Sequence, residues 1–159
     1  MPTETPPAAH ETEKERIDRE LIEFLNEVRV VLPGVQVLFA FLLTLPFTGK
    51  FAEITGGERV AYTIAFFSTT LAAVLMITPS AFHRLRFRKG DKEAILRMSS
   101  RLILAGIAFL GIAIVSVVWL VTELVFSSST ANVVGPITAL VIVSLWLALP
   151  LSRRFSEGR

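Results

Sequence analysis

The stretch LILAGIAFLGIAIVSVVWLVTELVF, residues 102–126, decides the fold class of this chain. Its one ionisable side chain is Glu123, and about 20 apolar residues are enough for a helix to cross the ~30 Å hydrocarbon core of a bilayer. Three further uncharged runs of similar length occupy residues 30–47, 61–78 and 133–151. Four such runs predict an all-α membrane protein with four transmembrane helices in an antiparallel bundle.

The composition of the whole chain supports this fold class. Of 159 residues, 52% are hydrophobic and 19% are charged, and the mean hydropathy is +0.61. An average soluble domain carries about 25% charged residues and less apolar mass, so an ordinary soluble enzyme and a disordered chain are both excluded. The chain has no cysteine, which excludes a disulfide-stapled module, iron–sulfur clusters and c-type haem and leaves the redox compartment undecided.

The basic residues are divided unequally between the two sides of the predicted bundle. Fourteen Lys and Arg residues lie before residue 30, between residues 84 and 101, or after residue 151, whereas the other two connections hold only Lys50 and Arg59. Because Lys-rich and Arg-rich loops stay on the cytoplasmic side, we expect both termini in the cytoplasm. The first 29 residues are polar and charged, so we expect no cleavable signal peptide.

The N-terminal region divides into two parts. Residues 1–10 contain three prolines and are predicted to be a disordered tail. Residues 11–29 are predicted to form an amphipathic helix, whose apolar stripe has helical spacing and consists of Ile17, Leu21, Phe24 and Val28. Either this helix covers the cytoplasmic end of the protein or it binds the membrane surface or a partner. Its seven acids against four bases favour the first reading, because surface-seeking helices are usually basic.

A basic cytoplasmic hairpin, residues 79–101, is predicted between the second and third spans. Asp91 follows Gly90 and is well placed as a helix N-cap, and the helical pattern from Lys92 continues into the third span, which predicts an unusually long third helix. We expect this hairpin to contact anionic lipid head groups and not nucleic acid, through the basic surface formed by Arg84, Arg86, Arg88 and Lys89. Residues 152–159 form a second basic segment, the C-terminal tail.

Two blocks of sequence carry a resemblance to a known family. One block is NEVRVVLPGVQ, residues 26–36, leading into FLLTLPF, residues 41–47; the other is TPSAFHRLRFR, residues 78–88, followed by GDKE, residues 90–93. They resemble an uncharacterised bacterial family of small four-span membrane proteins, common in actinobacteria and often labelled sodium:proton antiporters. The resemblance covers roughly residues 15–155 and implies four spans in a bacterial inner membrane. It supplies no functional residues to transfer to this chain.

Proton-coupled antiport is disfavoured by the residues themselves. Such exchange needs a protonatable group near the middle of the membrane, whereas Glu123 lies close to the end of its run and the other three runs hold no ionisable residue. Broken transporter helices are not indicated either, because we expect all five later prolines near span ends: Pro33, Pro46, Pro79, Pro136 and Pro150.

The polar side chains inside the runs have two interpretations. In the functional one, they line an ion pathway in an oligomer, with Glu123 at an acidic mouth and the path continued by Ser116, Gln36, Ser68 and Thr69. In the structural one, the hydroxyls bond to their own helix or join neighbouring helices, and Glu123 is a rim residue that reaches water.

Small residues repeat every seven positions along the third helix, at Ser99, Gly106 and Ala113. They predict close helix packing, against a sister span or against another subunit. No phosphate-binding loop, nucleophile motif or pair of carboxylates occurs in a catalytic pattern, so we expect neither an enzyme nor a cofactor. His10 and His83 lack a second ligand at suitable spacing, so no metal site is expected.

Two hypotheses from different classes follow. The first is a homo-oligomeric ion channel or ion-permeation protein. The second is a non-transporting structural or partner-binding membrane module. No feature of the sequence separates them.

Overall fold

Four long helices make up most of the chain in a computed structural model, which describes residues 13–86 and 92–148. Two short 3₁₀ segments, Leu45–Phe47 and Gly49–Glu53, join the first helix to the second, and a π-helical turn, Ser144–Ala148, follows the fourth. No strand occurs in these two ranges. The helices are α1 (Glu13–Thr44), α2 (Gly56–Arg86), α3 (Lys92–Val125) and α4 (Ser128–Val143).

Each helix contains a segment that is long and apolar enough to cross a membrane. The four segments are Val28–Phe47, Gly56–Ala81, Met98–Val125 and Ser128–Trp146. The predicted all-α membrane bundle is therefore confirmed. All four segments begin before the uncharged runs identified in the sequence, because the helices continue through flanking polar residues such as Arg29 and Arg59.

The predicted long third helix is also confirmed. Helix α3 runs without a break over 34 residues from Lys92 to Val125. At about 1.5 Å per residue this is roughly 50 Å, well beyond the ~30 Å of a hydrocarbon core. The helix therefore extends out of the membrane at its N-terminal end, where all of its charged residues except Glu123 lie.

The positions of Pro33 and Pro136 differ from the expectation, whereas Pro79, two residues before the end of the segment Gly56–Ala81, lies near a span end as expected. The sequence suggested a separate N-terminal helix, with Pro33 in the first turn of the span that follows. Instead α1 is one continuous helix of 32 residues with Pro33 inside it, and Pro79 and Pro136 lie inside α2 and α4. Proline removes the hydrogen bond to the carbonyl four residues earlier, but neighbouring helices and local adjustments let transmembrane helices tolerate it. Pro46 does follow the end of α1.

Several predicted features lie outside the described residues. These are the tail at residues 1–10, the break at Gly90 and Asp91, and the basic segment at residues 152–159. The apolar stripe of the N-terminal helix belongs with them, since only the backbone is described at Ile17, Leu21 and Phe24.

The helices are arranged around a central pair. Helices α2 and α3 pack along each other; α1 packs on α2 with a smaller contact to α3, and α4 packs on α3. The backbones of α1 and α4 do not approach each other anywhere in the described ranges, so the bundle is open between them. One buried apolar cluster joins α1 to the central pair and consists of Val28, Val35, Met76 and Ile103.

Candidate functional site

We call one end of the bundle the turn end; it is where α3 turns into α4 and where α2 begins. Among the described residues, it carries most of the polar side chains with tertiary contacts. Only Phe126 and Ser127 separate α3 from α4. The Ser127 side chain caps α4 by accepting from the backbone N–H of Thr130 at 3.4 Å. This cap explains why a polar serine-rich stretch begins a membrane helix.

Glu123 lies on the last turn of α3 at the turn end and is partly buried. Its Oε1 accepts a hydrogen bond from Ser128 Oγ at 2.5 Å. Its Oε2 is buried and has no hydrogen-bond partner among the described residues. The carboxyl group therefore has one oxygen held by the start of α4 and one that can still accept a proton, a cation or a donor from another molecule.

Glu58, near the start of α2, is a second carboxyl at this end, and the sequence reasoning missed it. It is buried, with 9% of its surface exposed, and its Oε2 accepts from the backbone N–H of Thr55 at 2.5 Å. Thr55 and Glu58 have the spacing of a capping box, which was the available signal. This contact gives the carboxylate a structural role at the helix start.

A tryptophan connects α3 to α4 at the same end. Trp119 Nε1 donates to Asn132 Oδ1 at 3.1 Å, and a Cβ added to Gly135 would come within 2.9 Å of Trp119 Cδ1. Gly135 is therefore the residue that lets α4 lie directly against the indole. The hydrogen bond satisfies two polar groups that would otherwise face hydrocarbon.

A groove of about 480 Å³ runs beside this tryptophan between α2, α3 and α4. Its walls are mostly small or apolar side chains, among them Ala61, Ile64 and Ala139, and its polar groups are those of Ser116, Trp119 and Asn132. Of the predicted pathway residues, only Ser116 lines it.

The other predicted pathway residues lie elsewhere. Ser68 and Thr69 are buried on α2, and Thr69 Oγ1 donates to the carbonyl of Ala65 at 2.7 Å. Gln36 is exposed on α1. The structure thus does not bring the five candidates together in a single copy of the chain.

Most intramembrane threonines form hydrogen bonds within their own helix. Each donates its hydroxyl to the carbonyl four residues earlier, at 2.6–2.9 Å; besides Thr69 they are Thr44, Thr63, Thr70, Thr78, Thr122 and Thr138. Tyr62 on α2 acts between helices instead, donating to the carbonyl of Leu42 on α1 at 3.0 Å. These hydroxyls all donate hydrogen bonds within the folded chain, as the structural interpretation of the sequence expects.

The heptad-spaced small residues of α3 are buried. Ser99 is 1% exposed and Ala113 is fully buried. A Cβ on Gly106 would lie 3.0 Å from Met76 Cγ and 3.4 Å from the carbonyl oxygen of Ala72, so Gly106 faces α2. The stripe therefore packs on a sister span at this position.

The predicted basic surface lies outside what the structure describes. Helix α2 reaches Arg86, but the side chains of Arg84 and Arg86 are not described, and neither is any part of Arg88 or Lys89. Its contact with lipid head groups stays a prediction.

Comparisons with known proteins bear on the family. No curated protein and no solved structure matches this chain. A family model described as "Family of unknown function (DUF6328)" matches residues 10–150, which confirms the resemblance to an uncharacterised family drawn from the sequence blocks. With this match over most of its length, the chain belongs to DUF6328, a family of unknown function.

Proposed function

We propose that this protein is a non-transporting membrane module that acts by binding another membrane protein through its lipid-exposed helices. The observation that carries the proposal is how the intramembrane polar groups are used. Thr69, Thr70, Thr122 and Thr138 bond to their own helices, and Trp119 bonds to Asn132 across two helices. The first four bonds satisfy hydroxyls within single helices and the last joins two helices, so few polar groups are left for a water-filled path.

The positions of the carboxyl groups argue against coupled ion exchange. Glu58 and Glu123 both lie at the turn end and each accepts a short hydrogen bond from a neighbouring helix-start residue. An exchanger needs a carboxylate near the middle of the membrane that is free to trade a proton for an ion. Glu58 and Glu123 lie at helix ends instead, so neither occupies that position.

Ion flux through liposomes tests this function. Purified full-length protein is reconstituted with an entrapped potassium-sensitive or pH-sensitive dye, and flux is compared with protein-free liposomes and with gramicidin-containing liposomes. We expect flux equal to that of the protein-free liposomes. Flux above that level that falls in Glu123→Gln would overturn the proposal.

A second candidate function, a homo-oligomeric ion-permeation protein, is favoured by one observation. The Oε2 of Glu123 is buried without a hydrogen-bond partner in the described part of the chain, and a ring of such carboxylates in an oligomer would concentrate cations at a pore mouth. In that case Glu123→Gln should lower conductance more at low salt than at high salt, because screening weakens the field of the ring.

We also infer a bacterial inner-membrane location, which the family resemblance implies, with both termini in the cytoplasm, which the fourteen-to-two division of Lys and Arg favours. Because the chain has no cysteine, single-cysteine variants report topology cleanly. Ser129→Cys at the turn end should react with an impermeant thiol reagent added to intact cells, and Gly90→Cys in the basic hairpin should react only after lysis. The reverse pattern would invert the orientation.

A further inference from the structure

Helix α1 carries a second row of residues at heptad spacing, separate from the row that packs on α2. The inner row is buried at Val28, Val35 and Leu42. The second row, which we call the outer seam, is exposed at every position and follows alternating steps of four and three residues. It consists of Ile22, Asn26, Arg29, Pro33, Gln36, Ala40 and Leu43.

Gln36 is the anomalous member of the outer seam. It lies seven residues after Arg29 and eight before Thr44, the end of α1, so about 10 Å of helix separates it from each. Its side chain is exposed and hydrogen-bonds to none of the described residues. A glutamine side chain is too short to reach the head groups from this depth, and an unsatisfied amide in hydrocarbon is unfavourable.

The chemistry of the carboxamide indicates what covers it. An amide both donates and accepts hydrogen bonds, so it is complementary to a second copy of itself related by a two-fold axis. Every copy of α1 crosses the membrane in the same direction, which brings the same position of two α1 helices to the same depth. From Pro33 to Leu43 the seam has Gln36 as its one polar residue, and a lone polar residue among apolar seam positions also fixes the register of the pair.

The neighbours of Gln36 along the seam suit a close helix pair. Ala40 is one turn further along and adds only a methyl group, which lets two backbones approach. Arg29 lies at the end of the transmembrane segment, where its long side chain can extend into the head-group region. Helices α4 and α1 have no close backbone approach in residues 13–86 and 92–148, and the seam residues are exposed in the described part of the chain.

We propose that two copies of this chain dimerise through the outer seam of α1, with the Gln36 side chains hydrogen-bonded to each other at the two-fold axis. This proposal rests on the proposed function, because it identifies the membrane partner of the module as a second copy. A lipid-covered seam and a seam that binds a different protein are the alternatives that the experiment must separate.

The first measurement is self-association of the full-length protein in liposomes. Ser129→Cys, far from the seam, carries a donor or an acceptor dye, and energy transfer is measured against the protein-to-lipid ratio. We expect a saturating dimer curve, with the dissociation constant raised about three- to twentyfold by Gln36→Leu and changed less by Gln36→Asn, which keeps a carboxamide. Because Gln36 is exposed, Gln36→Leu should leave the helical circular dichroism of the protein unchanged.

The second measurement locates the interface. Ala40→Cys on the outer seam should form a disulfide dimer under mild oxidation in membranes, whereas Phe41→Cys, at the same depth on another exposed face, should not. Energy transfer that never exceeds random proximity means that lipid or a different protein covers the seam, and either result overturns the proposal. So do equal association of wild type and Gln36→Leu, and equal cross-linking at both cysteines.

The two proposals fail in distinguishable ways. Absence of the dimer together with background-level ion flux overturns the Gln36 pairing and leaves the non-transporting function standing. Ion flux above background that is lost in Gln36→Leu overturns the non-transporting function while the dimer stands.

Discussion

Helix α1 and the central pair α2–α3 both contain membrane-spanning segments, but they differ in how much of each segment is buried. In an 18-residue stretch of each spanning segment, 11% of the residues are buried in α1, against 28% in α2 and 22% in α3. The central pair brings backbones together at Gly106, where a Cβ would lie 3.0 Å from Met76. On α1, Gly34 has nothing within 4 Å of the same position. A glycine in α3 is thus a packing residue, whereas the α1 glycine meets open surface.

The polar residues differ in the same way between the two regions. On α2 the buried Thr69 satisfies its hydroxyl within the helix, so it needs no outside partner. On α1 the exposed Gln36 also lies inside a spanning segment but has no such bond among the described residues. The comparison indicates that the central pair is complete in one copy of the chain and that α1 is not.

The largest expected effect comes from substituting the glycine at the contact between α2 and α3. Gly106→Leu should force α2 and α3 apart, because a Cβ there is already in tight contact with Met76 Cγ at 3.0 Å and the Ala72 carbonyl oxygen at 3.4 Å, and the rest of the leucine side chain must fit beyond it. Overpacking of this kind costs about 1–3 kcal/mol of unfolding free energy and sometimes more. The measurement is reversible unfolding in detergent micelles, followed by circular dichroism.

Gly34→Leu is the matched control for this prediction. It makes the same chemical change in open surface and replaces glycine by a better helix former, so we expect stability that is unchanged or slightly raised. Equal destabilisation by the two substitutions would mean that Gly106 is not at a close helix contact.

Much of the fold follows from the sequence for a physical reason. Hydrocarbon forces every backbone polar group to bond internally, so four uncharged runs translate directly into four helices, and Lys92 continues into α3 as the pattern indicated. Pro33 was misplaced because proline is a reliable helix terminator in water, where its free carbonyl partner is solvated, and a weaker one in a packed membrane helix.

The candidate site was less predictable. Glu123 stood out in the sequence as the one charge in its run, but its contact with Ser128 depends on how α3 turns into α4. The Trp119–Asn132 bond was missed because the two residues are 13 positions apart on different helices, and no local spacing rule links them. Gln36 was grouped with the buried hydroxyls, since periodicity alone does not tell which face of α1 is covered.

A smaller effect distinguishes the buried face of α1 from its exposed face. Val35 is 1% exposed and Val37 is 72% exposed, so Val35→Ala removes contacts inside the bundle and Val37→Ala removes contacts with lipid or detergent. We expect Val35→Ala to lower the unfolding free energy by about 1–2 kcal/mol, because the cavity is only partly refilled, and Val37→Ala to change it little. Equal effects in the same unfolding assay would show that α1 does not pack through its inner row.

The smallest expected effect concerns the bond between Trp119 and Asn132, which ties α4 to the central pair. A double-mutant cycle with Trp119→Phe and Asn132→Ala isolates the pairwise contribution from the separate effects of losing the indole and the amide. Hydrogen bonds between membrane helices measured this way average about 0.6 kcal/mol and reach about 1.7, because the unfolded chain in the membrane also finds partners for its polar groups. We expect a coupling energy in that range, measured as changes in unfolding free energy in micelles. A coupling near zero would mean that the hydrogen bond does not hold α4 against α3. The close packing of the indole on Gly135 would then do so. In that case Gly135→Ala, whose Cβ would lie 2.9 Å from the indole Cδ1, should weaken the α3–α4 contact more than either half of the cycle.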